Sequence, residues 1–203
     1  MKNACSRWSF LAVPVLAALG CSDPVPLPNQ GAISLQVGGP SCPVPGTVYP
    51  VGKLKTDPSD PTGKRKIVQA PSDTDSGQSV VDGENNTKIS CSVRGNGPFT
   101  FSGTLYATAY DEAMDPIKVT LSNGVVNADK VTGTVDVQVF TPQLAATFSS
   151  GSMPCTLKVF FVKGGSIWGD FSCPSLTSPP SGVCTSGVAP SKSTFVFENC
   201  DGS

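Results

Sequence analysis

The sequence contains no histidine. That absence removes Ser-His-Asp and Cys-His catalysis, the His-containing zinc sites and the His-Glu-x-x-His motif of zinc proteases. No Lys stands three residues after a Ser, so the Ser-x-x-Lys acyl-transfer motif is missing as well. Neither a Gly-x-x-x-x-Gly-Lys phosphate loop nor a Gly-x-Gly-x-x-Gly fingerprint occurs. No two Cys have Cys-x-x-Cys spacing, which speaks against a redox dithiol or a zinc knuckle. No cofactor is expected from these residues.

Charge is scarce too. Only 14% of residues are Asp, Glu, Lys or Arg, and the net charge is −1. That near-neutral balance argues against nucleic acid as a partner and against electrostatic adhesion to an anionic bilayer. No apolar run is long enough to span a membrane as a helix. Gly and Pro are plentiful by contrast, 21 and 19 of 203 residues. Few charges with many turn formers suggest an extracellular β protein.

The N-terminus sets the context. Lys2 and Arg7 make a basic start, and Phe10 to Leu19 is a short apolar run of signal-peptide length. Leu16-Ala17-Ala18-Leu19-Gly20-Cys21 follows, with a small residue directly before the cysteine. This stretch resembles the lipobox of bacterial lipoprotein precursors. The resemblance covers residues 1–21 only. It implies that residues 1–20 are a signal peptide, that Cys21 carries the lipid, and that the chain reaches the membrane through that anchor. In such precursors a Ser in the next position, here Ser22, permits transfer to the outer membrane. The expected location is therefore outside the cytoplasm, on the outer membrane or cell surface.

Cysteine parity agrees. Of eight Cys, Cys5 would leave with the signal and Cys21 would be lipidated. Cys42, Cys91, Cys155, Cys173, Cys184 and Cys200 remain, an even set that reads as a disulfide framework with 15 possible connectivities.

After Cys21 the chain divides in two. Residues 21–30 carry Pro24, Pro26 and Pro28, a semi-rigid tether that would hold the domain roughly 25–30 Å from the lipid at about 3.1 Å per residue. Residues 31–203 read as a single β domain. Ala32 to Val37 alternates Ile33, Leu35 and Val37 against polar partners, a first strand expected to stop at Gly38-Gly39-Pro40. Short strands are expected at Thr47 to Val51 and Lys66 to Gln69, the second inside a loop-like stretch from Lys53 to Glu84. Ile89, Cys91 and Val93 alternate with polar neighbours. So do Phe99 to Ala109, Ile117 to Leu121 and Val131 to Val139. Gly103 falls on an apolar face and marks a bulge. Asn123-Gly124 reads as a hairpin turn.

The hairpin from Cys155 to Cys173 turns at Lys163 to Ser166. A regular two-residue loop would set Leu157 opposite Ser172 and mismatch the faces. A three-residue loop, pairing Lys163 with Ile167, restores them. In that register Cys155 and Cys173 are diagonal, so each is expected to pair elsewhere, with Cys184 or Cys200, and Cys42 with Cys91. Pro174 to Lys192 reads as a surface loop held by Cys184. About nine or ten strands without a helix predict an all-β, antiparallel sandwich stabilised by disulfides, with a β-barrel as the alternative.

Residues that could carry chemistry are few. Asp111, Glu112 and Asp115 would serve a hydrolase only as a carboxylate pair about 5–9.5 Å apart across a cleft. Asp73, Asp75 and Gly77 match part of a calcium loop but lack its later Glu. Lys64-Arg65-Lys66 would suit an anionic polysaccharide, although a run of three is commonly a solvated face. Tyr106, Tyr110 and Trp168 are the candidate ligand-binding rings. Tyr106 and Tyr110 share a polar face about 13 Å apart, and Trp168 shares the second face of its hairpin with Phe160. Burial of these rings under a second layer is the bland reading. The functional expectation is a surface protein with a binding or structural role toward a carbohydrate or protein partner, with a carboxylate hydrolase as the alternative.

Overall fold

A computed structural model describes residues 25–44, 46–51, 53–63, 65–69, 81–84, 86–107, 116–180, 182–187 and 192–202. Alternation of apolar and polar side chains builds nearly everything in it, because a strand sends successive side chains to opposite faces. Ile89, Cys91 and Val93 are buried in the β5 strand (Lys88–Arg94) between exposed or half-exposed neighbours. Phe99, Phe101, Leu105 and Ala107 are buried in β6 (Phe99–Ala107). Ile117, Val119 and Leu121 do the same in β7 (Ile117–Val126), and Val135, Val137 and Val139 in β8 (Thr132–Phe140).

The remaining strands are β1 (Gln30–Ser41), β2 (Thr47–Val51), β3 (Lys53–Thr56), β4 (Lys66–Gln69), β9 (Phe148–Ser149), β10 (Cys155–Lys163), β11 (Ser166–Ser178), β12 (Gly182–Ser186) and β13 (Ser193–Glu198). The described residues thus form more strands than the nine or ten expected, with one short turn of 3-10 helix at Pro142–Leu144. Strands β3 and β4 pair only with each other. The others form one antiparallel sheet, running β5-β6-β7-β8-β10-β11, then β13 and β12, then β1 and β2.

This sheet folds back on itself. The Phe101 ring of β6 stacks on Phe195 of β13, centroids 5.7 Å apart, so the β5–β7 half faces the β11–β13–β1 half. Gly103 lacks a side chain where the Phe197 ring crosses from the opposite layer, and the β6–β7 register shifts between Phe101 and Gly103. The bulge expected at Gly103 is therefore present. Among the described residues no ladder joins β5 to β2, so the architecture is sandwich-like and not a closed barrel.

Four expectations about local structure are corrected. Strand β1 runs on past Gly38-Gly39-Pro40 to Ser41, because β12 pairs along its second half with an irregularity between Gly38 and Ser41. Asn123-Gly124 is not a hairpin turn but a bulge within β7. Asn123 takes a left-handed φ of 50°, and Gly124 gives way to the Phe101 ring. The stretch Pro174 to Lys192 is not all loop: β11 extends through it to Ser178 and β12 returns alongside.

The fourth correction is the β10–β11 hairpin. Its loop has two residues, pairing Lys163 with Ser166, yet the faces match. A bulge at Phe160 moves the register by one, so that Phe161 opposes Trp168 but Val159 opposes Gly169 and Leu157 opposes Phe171. Cys155 and Cys173 are then directly opposed and bonded to each other, Cα atoms 4.3 Å apart. Cys42 bonds Cys184, and Cys91 bonds Cys200. The expected pairings of Cys42 with Cys91, and of Cys155 and Cys173 with Cys184 or Cys200, fail because they assumed a ladder without that bulge.

The C-terminal end ties the two layers together. Asp201 lies parallel to β5, accepting from Val93 N (3.0 Å) and donating to Cys91 O (3.0 Å). Cys200 N donates to Gly165 O in the β10–β11 turn (2.8 Å). With Ile89 N held by the Asp82 carboxylate (2.7 Å), much of the outer edge of β5 is occupied from within the chain.

Candidate binding surfaces

The bulge in β10 shapes the most distinctive surface. Val159 points into the core, and a regular strand would send Phe160 out and Phe161 in. The extra residue sends both Phe160 and Phe161 to the outer face, across from Trp168. Phe160 stacks on Trp168 with centroids 4.7 Å apart and 30° between planes, and remains 41% exposed. The Lys158 ammonium stands 5.3 Å from the Phe160 centroid.

The other side of Trp168 is covered. It packs with Val81 against Ala32 of β1 and Val196 of β13 in a small outer cluster. The Arg65 guanidinium lies 4.0 Å over the Phe161 ring, a cation–π contact. Arg65 is placed there by the β3–β4 loop. Its amide donates to the Asp60 carboxylate (2.7 Å), its carbonyl accepts from Asp57 N (2.9 Å), and its side chain pairs with Asp57 at 3.2 Å. Asp57 is itself buried. The Ser59 hydroxyl, then the Ser59 amide, hold its carboxyl below the usual range, and Arg65 adds to this. Trp168 Nε1 and Arg65 Nε are both buried without a hydrogen-bond partner, two donors at the same aromatic cluster.

Tyr106 does not join this cluster. It sits on β6 between Leu105 and Ala107, both fully buried, so its ring leaves the opposite layer on its own outer face. There it opposes Lys88 of β5 and Lys118 of β7. Tyr110, Asp111, Glu112, Asp115, Asp73, Asp75, Gly77, Lys64 and Cys21 lie outside the described residues. Among the described residues no group of three or more His, Cys, Asp or Glu could hold a metal ion, and no helix is long and apolar enough to cross a membrane.

The sequence paired Trp168 with Phe160 and marked Arg65 as part of a basic run, but it showed neither Phe161 on that face nor Arg65 beside the rings. The signal for the first was present: two consecutive Phe break an otherwise strict alternation. Nothing local placed Arg65 over Phe161, because that contact depends on how the β3–β4 hairpin folds over the sheet.

No protein-family model matches the chain, no curated protein matches it, and no solved structure matches its fold.

Proposed function

We propose that this chain is an exported, lipid-anchored surface protein whose β domain is a binding module held outside the membrane. The observation that carries the proposal is the completeness of the disulfide set: all six cysteines after Cys21 are bonded in three pairs. Disulfides of this kind belong to an oxidising compartment outside the cytoplasm. Cys21 is then the one cysteine of the mature chain left for a thioether to diacylglycerol, and Ser22 favours the outer membrane. Intact-mass measurement of the protein purified from its host membranes tests this. The expected species begins at Cys21 with a diacylglyceryl and acyl mass added, and a Cys21→Ser variant is released to the soluble fraction. A mature chain with an unmodified Cys21 would overturn the anchor.

Carbohydrate binding is favoured as the form of that activity by the Phe160–Trp168 stack, an exposed ring backed by an indole with a free buried N–H. Sugar C–H faces pack on such rings. Glycan-array binding that falls about tenfold or more in Phe160→Ala is expected. Binding that is indifferent to Phe160 removes this platform.

A further inference from the structure

Three hairpin tips and the C-terminal segment meet at one end of the sandwich and leave a cleft of about 560 Å³ between the layers. That volume lies in the range of small-molecule sites, and the mouth of a β architecture is where such sites occur. Its floor is the end of the core: Val93 and Phe99 from one layer, Val162 from the other. Lys130, from the β7–β8 turn, and Lys163, at the β10–β11 turn, are exposed lysines in its lining. Much of the rest is glycine backbone, including Gly95, Gly165 and Gly202, each at a positive φ that favours glycine.

Both lysines are exposed. Lys130 has a left-handed φ of 58° and holds its Nζ 5.5 Å from the Phe99 centroid, on the cleft side. The nearby Asp129 carboxylate is turned back into its own turn, accepting from Val131 N (2.8 Å), Thr132 N (3.0 Å) and the Thr132 hydroxyl (2.7 Å). Those bonds hold its pKa down without engaging Lys130. Neither Lys130 nor Lys163 has an ion-pair partner among the described residues. The lining contains no carboxylate. The walls are also braced. Cys200 N bonds Gly165 O, a Cβ at Gly165 would meet Cys200 O at 2.8 Å, and Cys91–Cys200 fixes this segment to β5.

We infer that this cleft binds an acidic saccharide, a sugar ring carrying a carboxylate or sulfate. The ring's C–H face matches the floor of Phe99 and Val162, and its anion matches the two unpaired lysines. With two lysines and no carboxylate in the lining, an anionic sugar gains an electrostatic attraction there that a neutral sugar or an apolar ligand does not. The inference rests on neither the Cys21 anchor nor the Phe160–Trp168 platform, which lies on the outer face of its layer and not between the layers.

The test is titration of the 15N-labelled full chain in detergent with oligogalacturonate, with a sulfated disaccharide and with maltotriose. An acidic sugar is expected to shift the amides of Gly95, Gly164, Gly165 and Gly202, while maltotriose leaves them in place. Lys130→Gln/Lys163→Gln is expected to weaken acidic-sugar binding by about tenfold or more, since a charge-assisted contact is worth at least that factor. Phe160→Ala is expected to leave it unchanged. Response to either acidic probe supports the site, and the two arms distinguish carboxylate from sulfate. No shift at the cleft with either probe overturns it. So does equal binding of maltotriose, or unaltered affinity in the double variant. The shift map on the unaltered chain keeps the test decisive if the variant folds poorly.

Discussion

The hydroxyl oxygens of Ser186 and Ser193 lie 2.8 Å apart, both buried, and their hydrogen bond closes a gap in the middle of a strand. On β11, Cys173 opposes Ser186 and Phe171 opposes Ser193; on β1, Val37 opposes Ser186 and Ser34 opposes Thr194. Strands β12 and β13 therefore occupy one continuous slot between β1 and β11. Ser193 also accepts from Gln36 N at 3.1 Å, replacing a ladder bond lost at the break.

This makes the two serines unequal. Ser193→Ala strands a buried main-chain donor as well as the partner hydroxyl, and is expected to cost about 1–3 kcal/mol in urea unfolding. Ser186→Ala removes a single bond and is expected to cost less. A reversed order would show that the Gln36 bond contributes nothing.

The disulfides are expected to contribute unequally as well. Cys155–Cys173 spans a separation of 18 residues and Cys42–Cys184 one of 142. On the chain-entropy model, removing the longer link as a double Ala variant costs about 2 kcal/mol more than removing the shorter one. Non-reducing peptide mapping should recover residues 155 and 173 in one linked fragment. Recovery of either one joined to Cys184 or Cys200 would contradict the bulged register.

Acid should loosen the β3–β4 loop first through Asp57. Its folded pKa is depressed, so the charged carboxylate stabilises the native state above the unfolded value of about 3.9. That stabilisation declines as pH falls below about 4 and through the folded pKa. The protection factor of the Ser59 amide, its exchange rate taken relative to the intrinsic rate at each pH between 6 and 2, is expected to fall in that window, and Asp57→Asn to abolish the step. A pH-independent profile in the unaltered chain would exclude Asp57 as its source.

Gly103 and Phe197 form an interlayer fit. A Cβ at Gly103 would stand 2.5 Å from the Phe197 ring, so Gly103→Ala is expected to destabilise by about 1–3 kcal/mol through overpacking. In a Phe197→Leu background the same change should cost at least about 0.5 kcal/mol less, read as a double-mutant cycle. Strict additivity would show that the two sites do not touch.

Much of the fold was legible because strand alternation is local. The strand at Lys66–Gln69 and the inward face of Cys91 follow from residues within a few positions of each other, and so does the bulge at Gly103. The candidate site was half legible. Phe160 and Trp168 share a face in the expected three-residue-loop register, whereas in the observed two-residue hairpin Phe161 pairs directly with Trp168 and the bulge brings Phe160 to the same side; Arg65 arrives only through the packing of a separate hairpin.

The sequence by itself determined the all-β class, the spacing of most strands and an even set of six cysteines after Cys21. Each of these is a property of period-two patterning or of composition. The tertiary structure alone decided which cysteines meet, that β12 and β13 share one slot, and that the C-terminal segment closes on β5. Those outcomes pair residues 109 and 142 positions apart for two of the disulfides. Such pairings depend on the order of strands in the sheet and on one-residue shifts at bulges, which no local pattern encodes.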